Sequence, residues 1–412
     1  MKSLLRNGRY IVGTQKYRPR RGHDFMYSSR YCTNDTTISS EDERSLLSSI
    51  YLHSNFPTEP VNLTRLFQMT EGSVTKDDVV ASARVLQQEV PIRLARRVVE
   101  LESLPSMMAD HPSIQNLKKK LIGSFAILKD APEVVDEASE REYMFLQRNV
   151  RDKHQDMYHL LVDALVSGGG KRGEEPSEVT AIIDGFYSSR ISLRMLVDHH
   201  NAIKMQVEKG GAIPVTGIID ESLSPIDVIR SMISDVQSCC RSNFGIAPDI
   251  EVEGTNEFTF TYVKDHVERI MYAILLNASR ATAKHFIDVH GSETAEVPPA
   301  VRVRVASDKF GCTVHVSDHG NSLVQYDEVE KLFKYSSTIS HSVDGTTKKD
   351  PLAGDATGIA GYNYVFDESA AIRGFGLPVS RLYARYFGGD LQVVPISSCG
   401  NETFLHLKTL DE

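Results

Sequence analysis

The feature that most constrains the fold is a change of hydrophobic pattern in the middle of the chain. From about residue 46 to 207, apolar residues recur at every third or fourth position, which is typical of amphipathic helices. Beyond the joint at 208–225, helical stretches alternate with short runs of β-branched and aromatic residues. The sequence therefore predicts a helix bundle at 46–210 and a mixed α/β region at 224–412.

The longest helical pattern in the first region spans residues 79–104 and contains Pro91. A proline cannot donate the backbone hydrogen bond of a helix interior, so we expect a kink or a break at Pro91. Further helical patterns cover 117–129, 134–166 and 177–207. Long amphipathic segments separated by short polar joints are typical of a bundle.

The second region begins with a helix predicted at about 226–243, where Ser224 is a suitable N-cap and Pro225 a suitable first residue. Strand-like runs follow at 250–254, 258–263, 301–307 and 312–317, and the runs at 390–395 and 403–410 resemble a hairpin. This mixture predicts an α/β sandwich in which helices cover one face of a single sheet. The expected fold class is multidomain, with an all-α bundle followed by an α+β domain.

The N-terminal segment 1–32 differs from the rest of the chain in charge. It carries a net +7 against −9 for the whole chain, so the remainder carries −16. An Arg-rich, Ser-containing and acid-poor segment is typical of a mitochondrial transit peptide, although a basic disordered tail is the alternative. We expect cleavage near Cys32, a flexible segment at 33–45, and a location in the mitochondrial matrix.

Composition excludes several classes of function. With 41% hydrophobic and 25% charged residues and no long apolar run, the chain is expected to be globular and without a membrane partner. The acidic remainder argues against a nucleic-acid partner. The five cysteines form no C-x-x-C pair, and two of them, Cys239 and Cys240, are adjacent, so neither a zinc site nor a disulfide framework is expected.

A polar residue interrupts the apolar stripe of the helix predicted at 266–282. Asn277 follows Ala273 by four residues and Ile270 by seven, which places it on that stripe. A buried carboxamide costs roughly 1–3 kcal/mol unless its hydrogen bonds are made. Asn277 is therefore either a hydrogen-bonded core amide or a ligand that points its oxygen at a metal ion.

Two further segments have the chemistry of a nucleotide site. Asp318 ends the strand at 312–317 and precedes His319 and Gly320, so its carboxylate could accept a hydrogen bond from an exocyclic amine, although an ordinary turn is the simpler alternative. A long segment at 337–374 without clear periodicity then leads through a G-x-G sequence to a helix. Free N–H groups at such a helix start favour an anion.

The order of these features resembles the ATP-binding domain shared by gyrase, histidine kinases and MutL. More narrowly, the chain from about 46 to 411 resembles the mitochondrial protein kinases, which comprise the pyruvate dehydrogenase kinases and the branched-chain α-ketoacid dehydrogenase kinase. The strongest matches are SARVLQQEVPIRLARR, FYSSRISLRMLVDHH, NASRAT, SDHG, PLAG and GFGLPVSRLYARYFGGDLQ. The resemblance implies a helix bundle followed by an ATPase-type α/β sandwich with an ATP lid at about 337–374.

The resemblance also implies the site residues and the cofactors, ATP and Mg²⁺. The ATP site would comprise Asn277, Arg280, Asp318, Gly320, Ser337, Thr338, Gly374, Phe375, Gly376 and Leu377. Asn277 would ligate Mg²⁺ and Asp318 would bind the adenine amino group, with Gly320 beside it. The partners implied are the E1 α-subunit of a 2-oxoacid dehydrogenase complex, the lipoyl domain of the E2 core, and a second copy of the chain in a homodimer.

This chain departs from the family pattern on the helix that carries Asn277. The family has a catalytic Glu where this chain has Ala273 and a phosphate-binding Lys where it has Leu276, so the resemblance assigns no catalytic residue to this chain. Glu268 lies nine residues before Asn277 and is expected on the opposite side of the helix.

Two functions remain open at this stage. The first is a protein-serine kinase that phosphorylates and inhibits the E1 α-subunit, with the pyruvate complex favoured over the branched-chain complex. The second is a catalytically impaired pseudokinase that binds Mg-ATP and regulates the complex or a true kinase by dimerisation. A sensor that phosphorylates its own histidine is a weaker third reading, because the bundle sequence lacks a convincing His-Glu or His-Asp dyad.

Overall fold

The structure is a computed structural model that describes residues 40–70, 72, 74–154, 157–167, 175–210, 216–254, 258–291, 296–320, 326–335, 376–396 and 399–409. Its chain divides into two compact units. The first contains the described residues up to Ala164 together with Ser189–Ile218, and the second contains Leu165–Ser188 and the described residues from Ile219 onward. The segment Leu165–Ser188, predicted to belong to the bundle at 46–210, is thus grouped with the second unit.

The first unit is formed by helices, as the periodicity predicts. The helices are α1 (Ser40–Ser54), α2 (Leu63–Gln68), α3 (Lys76–Glu102), α4 (Ser106–Ala109), α5 (Pro112–Lys129), α6 (Glu137–Lys153), α7 (Met157–Ser167) and α8 (Ser177–Lys209), the last two of which extend into the second unit. Because α1 begins at Ser40, residues 40–45 are helical, and the flexible segment predicted at 33–45 is wrong for this part. Residues 1–39 lie outside the described residues.

Helix α3 is central to the first unit and packs against both α1 and α5. It begins with a capping box in which the Thr75 backbone N–H donates to the Asp78 carboxylate at 2.9 Å. The helix continues through Pro91 without a break, so the break considered at this position does not occur. Leu86 and Leu94, on either side of Pro91, are buried, and each such side chain contributes roughly 2 kcal/mol of hydrophobic stabilisation, which outweighs one lost backbone hydrogen bond.

The second unit combines helices with two sheets. Its elements after α8 are β1 (Ile219–Leu223), α9 (Pro225–Phe244), β2 (Ile250–Glu253), β3 (Phe260–Val263), α10 (Lys264–His290), β4 (Val301–Asp308), β5 (Gly311–Ser317), a 3₁₀ helix (Tyr326–Phe333), α11 (Gly376–Tyr386), β6 (Asp390–Ile396) and β7 (Gly400–Lys408). Among the described residues, one sheet has the order β2-β4-β5-β7-β6, with β2 parallel to β4 and the other pairs antiparallel.

Two details of the sheets differ from the prediction. The strand predicted at 258–263 pairs with β1 in a separate two-stranded sheet, so the second unit contains two sheets where one was expected. The strand β1 itself was not predicted, because it lies in the polar joint at 208–225. The hairpin predicted near the C terminus is present as β6 and β7.

Within the part of the chain that the structure describes, helices cover one face of the large sheet, as the α/β sandwich predicts. Helix α10 contacts β4, β5 and β7, helix α11 contacts the edge strand β6 and its neighbour β7, and α9 packs on α10. The side chains of Val303, Val314 and Leu405 point to the helices and are fully buried, whereas Arg302 and Arg304 on the other face are exposed. Among the described residues, none of the helices combines the length and the apolar character that a transmembrane segment requires.

Candidate nucleotide-binding site

Helix α10 carries the predicted metal ligand, but not in the environment that its spacing suggested. Ile270 and Ile274 of the apolar stripe are buried, whereas Asn277 is exposed between Leu276 and Ala278, each of which is only 3% exposed. The assignment of Asn277 to the buried stripe is therefore wrong. Neighbouring elements bury the helix on several sides, and Asn277 lies in the gap between them.

An exposed Asn277 is not a hydrogen-bonded core amide. Within the described part of the chain its carboxamide has no hydrogen-bond partner, so the side-chain oxygen is free to accept a ligand. Carboxamide oxygen is a suitable ligand for Mg²⁺, which binds hard oxygen atoms and commonly keeps several waters. The described residues contain no cluster of three His, Cys, Asp or Glu side chains placed to hold a metal ion.

Asp318 lies directly after β5 and is held by backbone N–H groups. Its Oδ1 accepts hydrogen bonds from the backbone N–H of Gly320 at 2.8 Å and of Asn401 at 3.1 Å. The side chain is 2% exposed, and this burial raises the pKa of Asp318, while the N–H donors act in the opposite direction. The backbone N–H of His319 donates to Thr282 Oγ1 of α10 at 3.0 Å, which ties the turn to that helix.

Two glycines allow the backbone to approach Asp318 closely. A Cβ atom at Gly320 would lie 2.7 Å from the Cβ of Ala281, which is one helical turn beyond Asn277. Gly400 has a φ of +105°, and a Cβ there would overlap the backbone oxygen of Asp318. The turn after β5 therefore lies against the part of α10 that follows Asn277, and β7 lies against the turn.

The two positions at which the chain departs from the family are buried. Ala273 is 8% and Leu276 is 3% exposed, so both side chains belong to the hydrophobic surface of α10. Glu268 forms an ion pair with Lys264 at 3.4 Å, and burial raises the pKa of Glu268. At 100° per residue, Glu268 and Asn277 lie on opposite sides of the helix, so Glu268 cannot replace the missing carboxylate.

The remaining predicted residues divide into described and undescribed ones. Gly376 and Leu377 begin α11 and are half-buried. Arg280 is also half-buried on α10, and its charge acts on the Cys240 thiol of α9, whose pKa burial raises to about 11. Ser337, Thr338, Gly374 and Phe375 lie outside the described residues.

The segment that precedes the predicted ATP lid is tied to α8. The Tyr335 hydroxyl donates to Asp184 Oδ1 at 2.6 Å, and its backbone N–H donates to Glu175 Oε1 at 2.8 Å. Its ring stacks on Tyr187 with a centroid distance of 5.6 Å and an angle of 5° between the planes. Burial raises the pKa of both Tyr335 and Asp184. These contacts lie within the second unit, which includes the first third of α8, up to Ser188.

Sequence reasoning missed Asn401, whose side chain donates from Nδ2 to both carboxylate oxygens of Asp318, at 3.3 and 3.2 Å. Asn401 has the same parity on β7 as the buried Thr403 and Leu405, so it belongs to the helix-covered face of the sheet. A polar residue at such a position was the available signal. It became meaningful once β5 was known to pair with β7.

His200 of α8 lies in a buried hydrogen-bond network of the first unit. Its ring is fully buried, with Nδ1 2.5 Å from Ser82 Oγ and Nε2 3.0 Å from Glu140 Oε1. Glu140 also accepts from Lys204 Nζ at 2.7 Å. Burial acts to raise the pKa of Glu140, but the bonds from His200 and Lys204 hold it below its ordinary value.

The fold and this site define a class of protein. A helix bundle precedes an α/β sandwich of the ATPase type, in which an exposed helix Asn lies one turn from a strand-end Asp-x-Gly turn. A family model for mitochondrial branched-chain alpha-ketoacid dehydrogenase kinase matches residues 60–220 of the chain.

Whole-chain relatives make the class more specific. A mitochondrial [pyruvate dehydrogenase (acetyl-transferring)] kinase from Arabidopsis thaliana is 32% identical over 351 residues, which cover 84% of this chain and 90% of the relative. The human mitochondrial isozyme 1 is 27% identical over 98% of this chain and 90% of its own length, and the mouse isozyme 3 is 26% identical over 87% and 83%. The chain belongs to the mitochondrial protein kinase family of pyruvate dehydrogenase kinases and branched-chain α-ketoacid dehydrogenase kinase.

Proposed function

We propose that the second unit binds Mg-ATP, with Asp318 bound to the adenine amino group and Asn277 bound to Mg²⁺. The observation that carries this proposal is the Asp318 carboxylate, which is buried, held by N–H donors and packed one helical turn from an exposed Asn277. A carboxylate is an acceptor only, which suits an exocyclic amine. Gly376 and Leu377, at the N terminus of α11, would add N–H donors for phosphate oxygens.

The proposed activity is that of a protein-serine kinase which phosphorylates, and thereby inhibits, the E1 α-subunit of a mitochondrial 2-oxoacid dehydrogenase complex. We favour the pyruvate complex, because the relatives that align along most of the chain are named pyruvate dehydrogenase kinases. The branched-chain kinase model matches 60–220 only, which is largely the bundle. ATP would supply the γ-phosphoryl group and Mg²⁺ would neutralise the charge of its oxygens.

The expected rate is low for this family. Phosphoryl transfer depends mainly on positioning and electrostatic stabilisation, so it can proceed without a general base. Loss of the base at Ala273 is expected to cost about 10²–10⁴ in rate. Loss of the ammonium group at Leu276 removes a further charge contact to phosphate.

A second function is favoured by the burial of Ala273 and Leu276. Both side chains are packed as ordinary core residues of α10, so this helix offers neither an acid nor an amine to the site at these positions. A pseudokinase that binds Mg-ATP and regulates the complex, or a true kinase, would need Asn277 and Asp318 and no base. The two functions differ in turnover and share the nucleotide site.

The test combines turnover with binding. Purified protein is incubated with labelled ATP, Mg²⁺ and E1, with and without E2, and its melting temperature is measured with and without Mg-ATP. Label on a serine of the E1 α-subunit that is absent with the Asn277→Ala variant supports the kinase. A melting shift without label supports the pseudokinase, and neither label nor shift refutes nucleotide binding.

Restoring the carboxylate tests the account of the missing base. In an active protein, Ala273→Glu is expected to raise the rate of E1 phosphorylation about 10-fold or more, because it places a carboxylate one helical turn before Asn277. Ala273→Gln is the matched control, with nearly the same shape and no basic group. Equal rates for the two variants would contradict this explanation.

The proposed partners are the E1 α-subunit, the lipoyl domain of E2 and a second copy of the chain. The sheet face turned away from the helices presents the side chains of Arg304, His315 and His406, and we propose that this face joins two copies. Sedimentation of the purified protein tests the homodimer, and a monomer at micromolar concentration would refute it. The proposed location is the mitochondrial matrix, with 1–32 as a transit peptide, and N-terminal sequencing of protein from isolated matrix tests both.

A further inference from the structure

The 3₁₀ helix and the two residues after it are anchored to the start of α8. Tyr335 is fully buried, and its hydroxyl donates to Asp184 Oδ1 of α8 at 2.6 Å. Its ring stacks on Tyr187 of the same helix, with the two planes 5° apart. Its backbone N–H donates to Glu175 Oε1, just before α8, at 2.8 Å. Three contacts made by one residue therefore fix the end of the segment 326–335.

The same segment is held to α11 by Arg381. The guanidinium group of Arg381 donates to both carboxylate oxygens of Glu330 on the 3₁₀ helix, at 3.0 and 3.3 Å. It also lies over the ring of the buried Phe333, 4.2 Å from the ring centroid. Arg381 follows Leu377 by four residues, so these contacts act within one turn of the start of α11. The segment 326–335 thus connects α8 to the start of α11.

The charges of α11 act on Asp184 as well. Burial raises the pKa of the Asp184 carboxyl, and the guanidinium groups of Arg385 and Arg381 act in the opposite direction. Both arginines also donate to Asp390 Oδ1 at the start of β6, at 2.8 and 3.3 Å. The side of α11 that carries the two arginines is therefore held by the 3₁₀ helix and by β6, and it is attracted to the Asp184 carboxylate.

The start of α11 is also where phosphate groups are proposed to bind. N–H groups at a helix N terminus bind an anion best when the helix is already in place, because ordering it on binding costs affinity. We propose that Asp184 and Tyr335 are positioning residues which, through the segment 326–335 and Arg381, hold the start of α11 in place for the phosphate groups of ATP. The two residues act through α11 and not by contact with the nucleotide. This inference rests on the proposed binding of Mg-ATP.

The test compares Mg-ATP with adenosine, which has the same base and ribose but no phosphate groups. Affinities for Mg-ATP are measured by titration calorimetry on the full chain, and affinities for adenosine by ligand-observed NMR, which detects weak binding. Tyr335→Phe removes only the hydroxyl and keeps the ring stack and the backbone bond to Glu175. It is expected to weaken Mg-ATP about 10-fold, the equivalent of one hydrogen bond, and to leave adenosine within about 2-fold.

Two variants serve as controls. Asp184→Asn keeps an oxygen that can accept from the Tyr335 hydroxyl, so it should retain most of the affinity for Mg-ATP. An equal loss of affinity in Asp184→Asn would refute the hydrogen bond as the cause. Tyr51→Phe removes the same kind of bond, from a tyrosine hydroxyl to the Glu102 carboxylate in the first unit, and should change neither affinity.

A variant at the other end of the connection decides the question if Tyr335→Phe does not fold. Glu330 is an exposed side chain, so Glu330→Ala is expected to fold while it loses the bonds to Arg381. An exposed ion pair contributes less than a buried bond, so this variant should weaken Mg-ATP about 3-fold and leave adenosine unchanged.

The outcomes distinguish this inference from the proposed function. If the wild type does not bind Mg-ATP, both fail. If the wild type binds Mg-ATP and Tyr335→Phe weakens Mg-ATP and adenosine equally, or changes neither, Tyr335 only stabilises the fold. The inference then fails while nucleotide binding stands.

Discussion

Asp318 combines a proposed ligand contact with a buried charge, and Asp318→Asn separates the two effects. The side chain is 2% exposed, and burial raises the pKa of Asp318 because the charged form is poorly solvated. Asparagine keeps the shape and the oxygen that accepts from Gly320 and from the Asn401 backbone. The Asn401 amide can rotate to accept from the new NH₂ group, so the variant loses no bond that the fold needs.

The substitution is expected to raise the stability of the ligand-free protein slightly and to lower its affinity for ATP. Removing a buried charge whose neighbours can adapt should leave the ligand-free stability within about 1 kcal/mol of the wild type, in the stabilising direction. The ligand loses a hydrogen bond to a charged acceptor, which is worth about 1.5–3 kcal/mol and corresponds to a roughly 10- to 150-fold weaker affinity for ATP. The variant should therefore be at least as stable and bind ATP poorly.

The pH dependence gives an independent check. The folded-state pKa of Asp318 lies above its unfolded value, so between these two values the folded protein holds more protons than the unfolded protein. Wild-type stability should therefore fall relative to Asp318→Asn as the pH rises from about 4, the ordinary Asp value, through the raised value, and the difference should be constant above it. Other carboxyl groups contribute equally to both proteins and cancel in the difference.

Denaturant unfolding across pH 3–8 and calorimetric titration with Mg-ATP measure these quantities. Asp288→Asn is the matched control, because Asp288 is an exposed carboxylate near the end of α10 and should change neither property. A loss of more than about 2 kcal/mol in the ligand-free Asp318→Asn variant would refute the argument from burial. An unchanged ATP affinity would refute the ligand contact.

Two more predictions concern packing. Glu140→Ala should destabilise the protein by about 3–5 kcal/mol, because it leaves the buried His200 without its acceptor. The same change at the half-exposed Glu137, which pairs with Lys76, should cost less than about 1 kcal/mol. Thermal unfolding compares the two variants, and equal losses of stability would contradict the role of the network. Gly320→Ala should weaken ATP binding and should change the melting temperature less. The added Cβ would lie 2.7 Å from the Cβ of Ala281 and would push the turn away from α10. An unchanged affinity for ATP would show that the turn can move freely.

The features predicted correctly are those whose signal is local. Helix α8 was predicted at 177–207 and spans Ser177–Lys209, because a period of 3.6 residues can be recognised within a few turns. The position of Asp318 at the end of β5 was likewise available from alternation within one short strand. Neither inference required knowledge of a distant segment.

The errors arose where a side chain's environment depends on more than one neighbour. Asn277 was assigned to the buried stripe because its spacing from Ala273 and Ile270 suits one, yet it is exposed. Helix α10 packs against α9, α11 and strands of the sheet, so its buried surface extends well beyond a single stripe. The spacing of apolar residues identifies such a buried surface, but it does not show that one position within it, Asn277, is exposed. The link between Tyr335 and Asp184 joins residues 151 positions apart and has no local signal at all.

Asn401 shows which sequence signal could reveal a site residue of this kind. Parity along β7 places Asn401 on the same face as Thr403, Leu405 and Leu407, all of which are buried. A polar residue on the covered face, at the end of a strand, needs a partner at the same edge of the sheet. The antiparallel register that pairs Ser317 with Glu402 brings Asp318 to Asn401, and each side chain satisfies the other. A polar residue at the end of a strand is therefore a candidate site residue when its alternation places it on the buried face of the sheet. This can be recognised before the strand pairing is known, and the pairing then shows which of these residues contact each other.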